Sequence, residues 1–249
     1  MNIDKYWINR STIRNYSEKE IPQALLMEML ENASHAPTTG NMQLYSVVIT
    51  REETMKKRLA PAHFNQPTVV SAPVVLTFCA DYNRFIKWCE ASNAVPGYNN
   101  FQSFMTAVLD TALFAQQFNT IAEQEGLGCC YLGTTTYNAP QIAEILELPE
   151  MVVPVTTITV GYPAEVNNGE GVGRLPVEAV IHSETYKNYS PQSVRDFYKE
   201  KESREDSKKF VEENNKETLA QVFTDVRYTK EACEHFSKIY FDFIKKQGF

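Results

Sequence analysis

FQSFMTAVLDTALFAQQFNTIAEQE, residues 101–125, is the stretch on which the fold turns. Phe104, Met105, Val108, Leu109, Ala112, Leu113, Phe114 and Ala115 recur at helical spacing, and no glycine or proline interrupts them. They spread over more than one face, which a helix tolerates only when protein covers it nearly all round. A second copy of the chain would provide that cover. Residues 101–125 therefore predict both the central helix of the core and a homodimer.

Downstream, Leu127 to Leu132 reads as a strand. Gly126-Leu127-Gly128 with Gly133 superficially resembles a dinucleotide fingerprint, but these glycines follow a helix and precede a strand. That is the reverse of the order that sets a pyrophosphate on a helix N-terminus, so a Rossmann site is rejected. A glycine at the helix C-terminus, then a strand whose far end brings backbone groups near a ligand, suits the order better. Further strands are expected over Leu44 to Thr50, Pro73 to Ala80 and Met151 to Val160. Helices are expected over Ile21 to Ala33, Glu52 to Ala60, Tyr82 to Ala91 and Ala139 to Leu146. Ser92 to Asn100 is a loop by its Asn, Pro and Gly content, and Cys89 to Phe101 is a candidate lid. The alternation of elements gives an α+β class. Beyond Glu184 the chain becomes rich in Lys, Glu and Asn, with helices expected over Pro191 to Glu202, Asp206 to Ala220 and Lys230 to Lys246. Residues 1–184 are thus expected to form the core and residues 185–249 a helical C-terminal extension packing on it.

A net charge of -7 and a pI near 5.3 speak against nucleic acid or an anionic membrane as partner. The N-terminus has no apolar run suited to a signal peptide and no later run approaches a membrane span, so a cytoplasmic location is expected. Five cysteines without C-x-x-C spacing and four scattered histidines predict neither a disulfide framework nor a metal site. Cys129 and Cys130 are adjacent, and neighbours in a strand face opposite ways, so a redox dithiol is not expected.

Three segments carry groups suited to an anion or heterocycle. In RSTIRNY, Arg10, Thr12 and Arg14 fall on one side of an extended chain while Ile13 turns inward; the pattern suits a phosphate site and equally a solvated basic strip. In SHAPTTGN, Thr38, Thr39, Asn41 and the amides around Gly40 offer a cradle, or a plain connection. Gly169, Gly171 and Gly173 precede Arg174, a flexible approach for one more cation.

Taken together, RSTIRNY, APTTGNMQ, VLDTALFAQQFNTIAEQEGLGCCYLG, and LELPEMVVPVTTITVGYP followed by GRLP resemble the nitroreductase family in order and spacing over about Ile8 to Pro176. They are most similar to its oxygen-insensitive major nitroreductase and NADPH-flavin oxidoreductase subgroup. The resemblance implies a helix-flanked mixed β-sheet, an intertwined homodimer, and FMN at sites built from both subunits. It implies Arg10 and Arg174 at the phosphate with Thr12 supporting, Ser11 among the cofactor-binding residues, Arg14 near the pyrimidine end of the flavin, and Gln66 on the ring. Thr38, Thr39, Asn41 and Gln43 border the cofactor, partly from the partner subunit, and Tyr131, Leu132 and Gly133 lie near its reactive edge. Val172 departs from the subgroup, which often has lysine there. The implied activity is NAD(P)H-dependent reduction of nitroaromatics, quinones or free flavins by a ping-pong mechanism, with NADPH or NADH as donor and no catalytic side chain beyond the flavin. Dehalogenation or flavin fragmentation, or a flavin-binding dimer without turnover, are the alternatives. Lys199, Lys201 and Arg204 could meet a nicotinamide 2′-phosphate or form a solvated helix face.

Overall fold

The computed structural model describes residues 3–165 and 173–249. The described residues form two compact units: one comprises 12–165 and 236–249, the other 3–11 and 173–235.

The larger unit is built on four strands, β1 (Tyr45–Thr50), β2 (Val74–Asp81), β3 (Gly128–Leu132) and β4 (Val152–Gly161), in the order β1-β2-β4-β3. All three pairings are antiparallel. The α+β class and flanking helices are as expected, but the parallel pairing that a mixed sheet requires does not occur among the described residues. Every residue of β2 is buried, as in a strand covered on both faces. One face packs on α2 (Gln23–Ala33) and α6 (Phe101–Gln124): Leu26, Met29, Phe114 and Phe118 meet Leu76, Phe78, Ile158 and Val160. The other packs Val75, Cys130 and Leu132 against Leu59, Val69 and Ile142, carried by α3 (Glu53–Leu59), α4 (Pro67–Ser71) and α7 (Ala139–Ile145). Cys129 and Cys130 accordingly sit in opposite layers, and neither forms a disulfide. Pro154, which has no N–H to donate, lies inside β4 where the register with β2 slips between Phe78 and Cys79; the bulge accommodates it.

Helix α5 (Asn83–Ala91) leads to the loop before α6, where Tyr98 stacks on Tyr82 and Asn100 caps α6 by accepting from the Ser103 N–H at 3.0 Å. The end of the chain completes this core. Phe243 and Ile244 are buried with Tyr82 and Phe104, and the buried Gln247 amide donates to the Pro149 and Val152 carbonyls.

Helix α6 presents a second apolar face. Phe101, Met105, Leu109 and Leu113, four residues apart, are 55%, 36%, 59% and 47% exposed. They form one stripe opposite the buried Phe104, Ala107, Phe114 and Phe118.

In the smaller unit lie α1 (Ile3–Asn9), α8 (Pro191–Ser203), α9 (Glu205–Glu213) and α10 (Leu219–Val222); α11 (Lys230–Lys246) begins there, at the residue expected. The single helix expected over Asp206 to Ala220 is two. Asn215 adopts a left-handed conformation (φ 51°) that ends α9, and a Thr218–Gln221 capping box starts α10 afresh. No described helix is long and apolar enough to cross a membrane.

Candidate functional site

The end of β3 carries three of the expected residues. Tyr131 is exposed, Leu132 is buried, and Gly133 opens a short 3-10 turn over Gly133–Thr135. Because the Leu132 side chain faces the core, only its backbone is available to a ligand. A Cβ placed on Gly133 would meet nothing within 4 Å, so the main chain there is open to close approach. Facing this turn is the segment that ends in Gln66, the N-cap of α4. Gln66 Nε2 donates to Thr134 Oγ1 at 3.3 Å, His63 Nδ1 lies 2.9 Å from the same oxygen, and Asn138 Nδ2 donates to the Ala62 carbonyl at 2.8 Å. Residues 62–66 and 133–138 are thus zipped together, and Gln66 is brought to Gly133. His63 is fully buried, with no partner for Nε2 among the described residues, and burial lowers its pKa from 6.5 to about 4. The ring is therefore neutral at neutral pH.

Thr38, Thr39, Asn41 and Gln43 occupy one loop, held by other elements. The buried Asp110 carboxylate of α6 accepts the Thr39 N–H at 2.9 Å through Oδ1 and the Leu44 N–H at 3.2 Å through Oδ2. Arg84 donates to the Gln43 carbonyl. Gly40, Asn41 and Gln43 all have φ near 55°, a contorted path that directs the loop's polar side chains outward; Thr39, Asn41 and Gln43 are exposed.

Ile13 runs beside β3, its N–H bonded to the Cys129 carbonyl at 3.1 Å. The approach needs Gly128, whose Cβ would lie 2.4 Å from that of Ile13. Ile13 thus packs on the strand as expected, while Thr12 is half-buried and Arg14 exposed. Burial raises the Cys130 thiol pKa, and the Arg14 guanidinium, hydrogen-bonded to that thiol, opposes the rise.

In the smaller unit, Arg10 and Ser11 follow α1 half-buried, and Arg174 is exposed. Arg174 borders a cleft of about 370 Å³ with Phe197, Lys201 and Arg204. Arg204 lies against Gly173 and bonds Glu200 at 3.0 Å; Lys201 sits 5.1 Å from the Phe223 ring centre. Val172, with Gly169 and Gly171, lies outside the described residues.

Asp110 and Thr134 were not singled out from sequence, and His63 only as one of the four scattered histidines. Asp110 left a trace, a carboxylate three residues after Ala107 and four before Phe114 on the buried helical face. His63 and Thr134 left none, because their pairing joins segments 71 residues apart.

In the larger unit, the open main chain at Gly133, the Gln66 amide held beside it and the exposed Arg14 are groups suited to a flat, anionic ligand. The nitroreductase family profile matches residues 8–162, more than half the chain. The chain belongs to the nitroreductase family. Over 245 residues, 96% of this chain and 94% of its relative, it is 29% identical to a Bacillus subtilis protein named FMN reductase [NAD(P)H]. The crystal structure of a protein from Bacteroides fragilis is similar at TM-score 0.96 and 54% identity, over 99% of each chain. That of the NfrA1 nitroreductase from B. subtilis is similar at TM-score 0.85 and 27% identity, over 100% of this chain and 99% of the other.

Proposed function

We propose that the protein is an FMN-dependent oxidoreductase that uses NAD(P)H to reduce small electron-poor acceptors, namely nitroaromatics, quinones or free flavins. The observation that carries this is the correspondence, over 96% of the chain, with a relative named FMN reductase [NAD(P)H].

The residues present fit the cofactor. Gly133 leaves open space beside an exposed main chain, Gln66 is held next to it, and Arg14 is exposed on the segment alongside β3. When bound, FMN supplies a centre that accepts hydride from a nicotinamide and passes reducing equivalents to an oxidant. Arg14 would offset the negative charge gathering at the pyrimidine end on reduction, and backbone N–H groups of 131–133 would orient the reactive edge. Arg10 and Arg174, with Thr12 supporting, are assigned to the phosphate by sequence position, and Ser11 to the cofactor site. Thr38, Thr39, Asn41 and Gln43 would border the cofactor of a second subunit, since their loop is pinned to α6, the helix whose exposed stripe we assign to the dimer interface. His63 is buried and neutral, which supports a mechanism without a side-chain acid at this position; protons come from water. One open face then serves donor and acceptor in turn, giving ping-pong kinetics.

The test is the pigment. The purified protein should be yellow and release FMN, not FAD, on denaturation. Colourless protein that also fails to take up added FMN would reject the proposal.

A further inference from the structure

Phe64 is a large apolar residue in a conformation that favours glycine. It has φ 52° and ψ 35° at the end of the 3-10 turn Ala60–His63, and Asn65 follows with φ 53°. The ring gains little burial in return, being 52% exposed. Left-handed backbone at a bulky side chain is uncommon, and such strain concentrates at ligand sites. Here it sits two residues before Gln66, on the segment zipped to the Gly133 turn.

Phe64 is also not alone. Its edge meets Tyr137 at 6.4 Å between ring centres (71°) and Phe236 at 5.9 Å (79°), while Tyr137 and Phe236 stack at 4.5 Å and 8°. Tyr137 lies four residues beyond Gly133, so both segments that frame the candidate site contribute to one aromatic cluster. The stacked pair holds Phe64 from one side, and half of its surface remains open.

We infer that Phe64, braced by Tyr137 and Phe236, is a specificity-determining residue that receives the ring of a planar, neutral, electron-poor acceptor. This rests on the reductase reading above and names the acceptor side of it. The surface is uncharged and aromatic, matching a quinone or nitroaromatic ring by offset or edge-on packing and offering nothing to the phosphates of a nicotinamide dinucleotide.

The probe is duroquinone, whose ring carbons are all substituted and do not add to thiols. Its binding to the purified flavin-loaded protein is measured by equilibrium dialysis, and its KM in NADPH oxidation is compared with that of ferricyanide. Phe64→Leu keeps an apolar side chain but loses the ring; it should weaken duroquinone binding, and raise its KM, by about three- to tenfold, the scale of one aromatic contact. The ferricyanide KM should not follow, and Phe64→Tyr should lie within about twofold of wild type in both measurements. Phe64→Gly should lose binding as Phe64→Leu does with little change in Tm, because relief of the left-handed strain offsets the lost contacts with Tyr137 and Phe236. A ring kept only for stability would not separate the two readouts. Unchanged duroquinone binding in Phe64→Leu overturns the inference, as does a rise in the KM for NADPH alone. If the wild type fails to oxidise NADPH with any acceptor, the reductase reading falls while dialysis still decides the role of the ring.

Discussion

Leu109→Asp should dissociate the protein. Leu109 lies at the middle of the exposed stripe of α6 and is 59% exposed in the single chain. Burying a whole leucine side chain contributes about 1.5–3 kcal/mol, so covering the exposed part contributes about 1–2 kcal/mol per subunit. In a twofold dimer the position occurs twice, giving about 2–4 kcal/mol, or roughly 30- to 900-fold in dimer Kd. The introduced carboxylate adds its own desolvation cost, so the effect should exceed this range. Sedimentation equilibrium at micromolar concentration reads it: wild type as dimer, Leu109→Asp as monomer with unchanged far-UV circular dichroism. Because the 38–44 loop is assigned to the partner's cofactor, the monomer should also lose flavin. A Leu109→Asp protein that stays dimeric with undiminished affinity would refute the assignment of this face, and a folded, flavin-loaded wild-type monomer would refute the dimer itself.

Arg10→Ala should weaken FMN binding roughly 10- to 100-fold, the scale of one charge-assisted hydrogen bond; unchanged affinity in a fluorescence titration removes Arg10 from the site. Asp110→Ala leaves the Thr39 and Leu44 N–H groups without their carboxylate. The cost should be about 2–4 kcal/mol and a Tm lower by about 5–15 °C, whereas a change under about 2 °C in a thermal melt would contradict the pinning role. His63 has a folded pKa near 4 against an ordinary 6.5, so between these values the unfolded chain binds a proton that the native one refuses. Stability from this group is therefore lost as pH falls through that window, by about 3 kcal/mol, and urea titrations should show His63→Gln lacking that share of the loss. Equal slopes in the two proteins would place the histidine in contact with water.

Much of the fold was legible because its signals are local. The periodicity of residues 101–125 located α6 to within a residue, and Lys230 to Lys246 gave α11 at both ends. Neighbours in a strand face opposite ways, and in Gly128–Leu132 Tyr131 is exposed and Leu132 buried, though the resemblance had treated both alike. The break between α9 and α10 was missed because Asn214 and Asn215 are tolerated in helices, and only the left-handed turn at Asn215 reveals the stop. Strand direction was not legible at all, since antiparallel order depends on pairings such as Thr77 with Thr157 across 80 residues. The site divides in the same way. Arg14 and Gly133 were proposed from short motifs and Gln66 from its position in the family resemblance, whereas the His63–Thr134–Gln66 contact and the Phe64 cluster exist only once distant turns meet.

The central claim is that a nicotinamide reduces a flavin held by this chain, which small oxidants then reoxidise. Its most direct test is the visible spectrum of the purified protein, recorded without oxygen before and after NADPH and NADH are added separately. The account predicts a flavin band that bleaches within the mixing time with at least one of the two and returns when a quinone is added. A flavin band that responds to dithionite but to neither nicotinamide would contradict it.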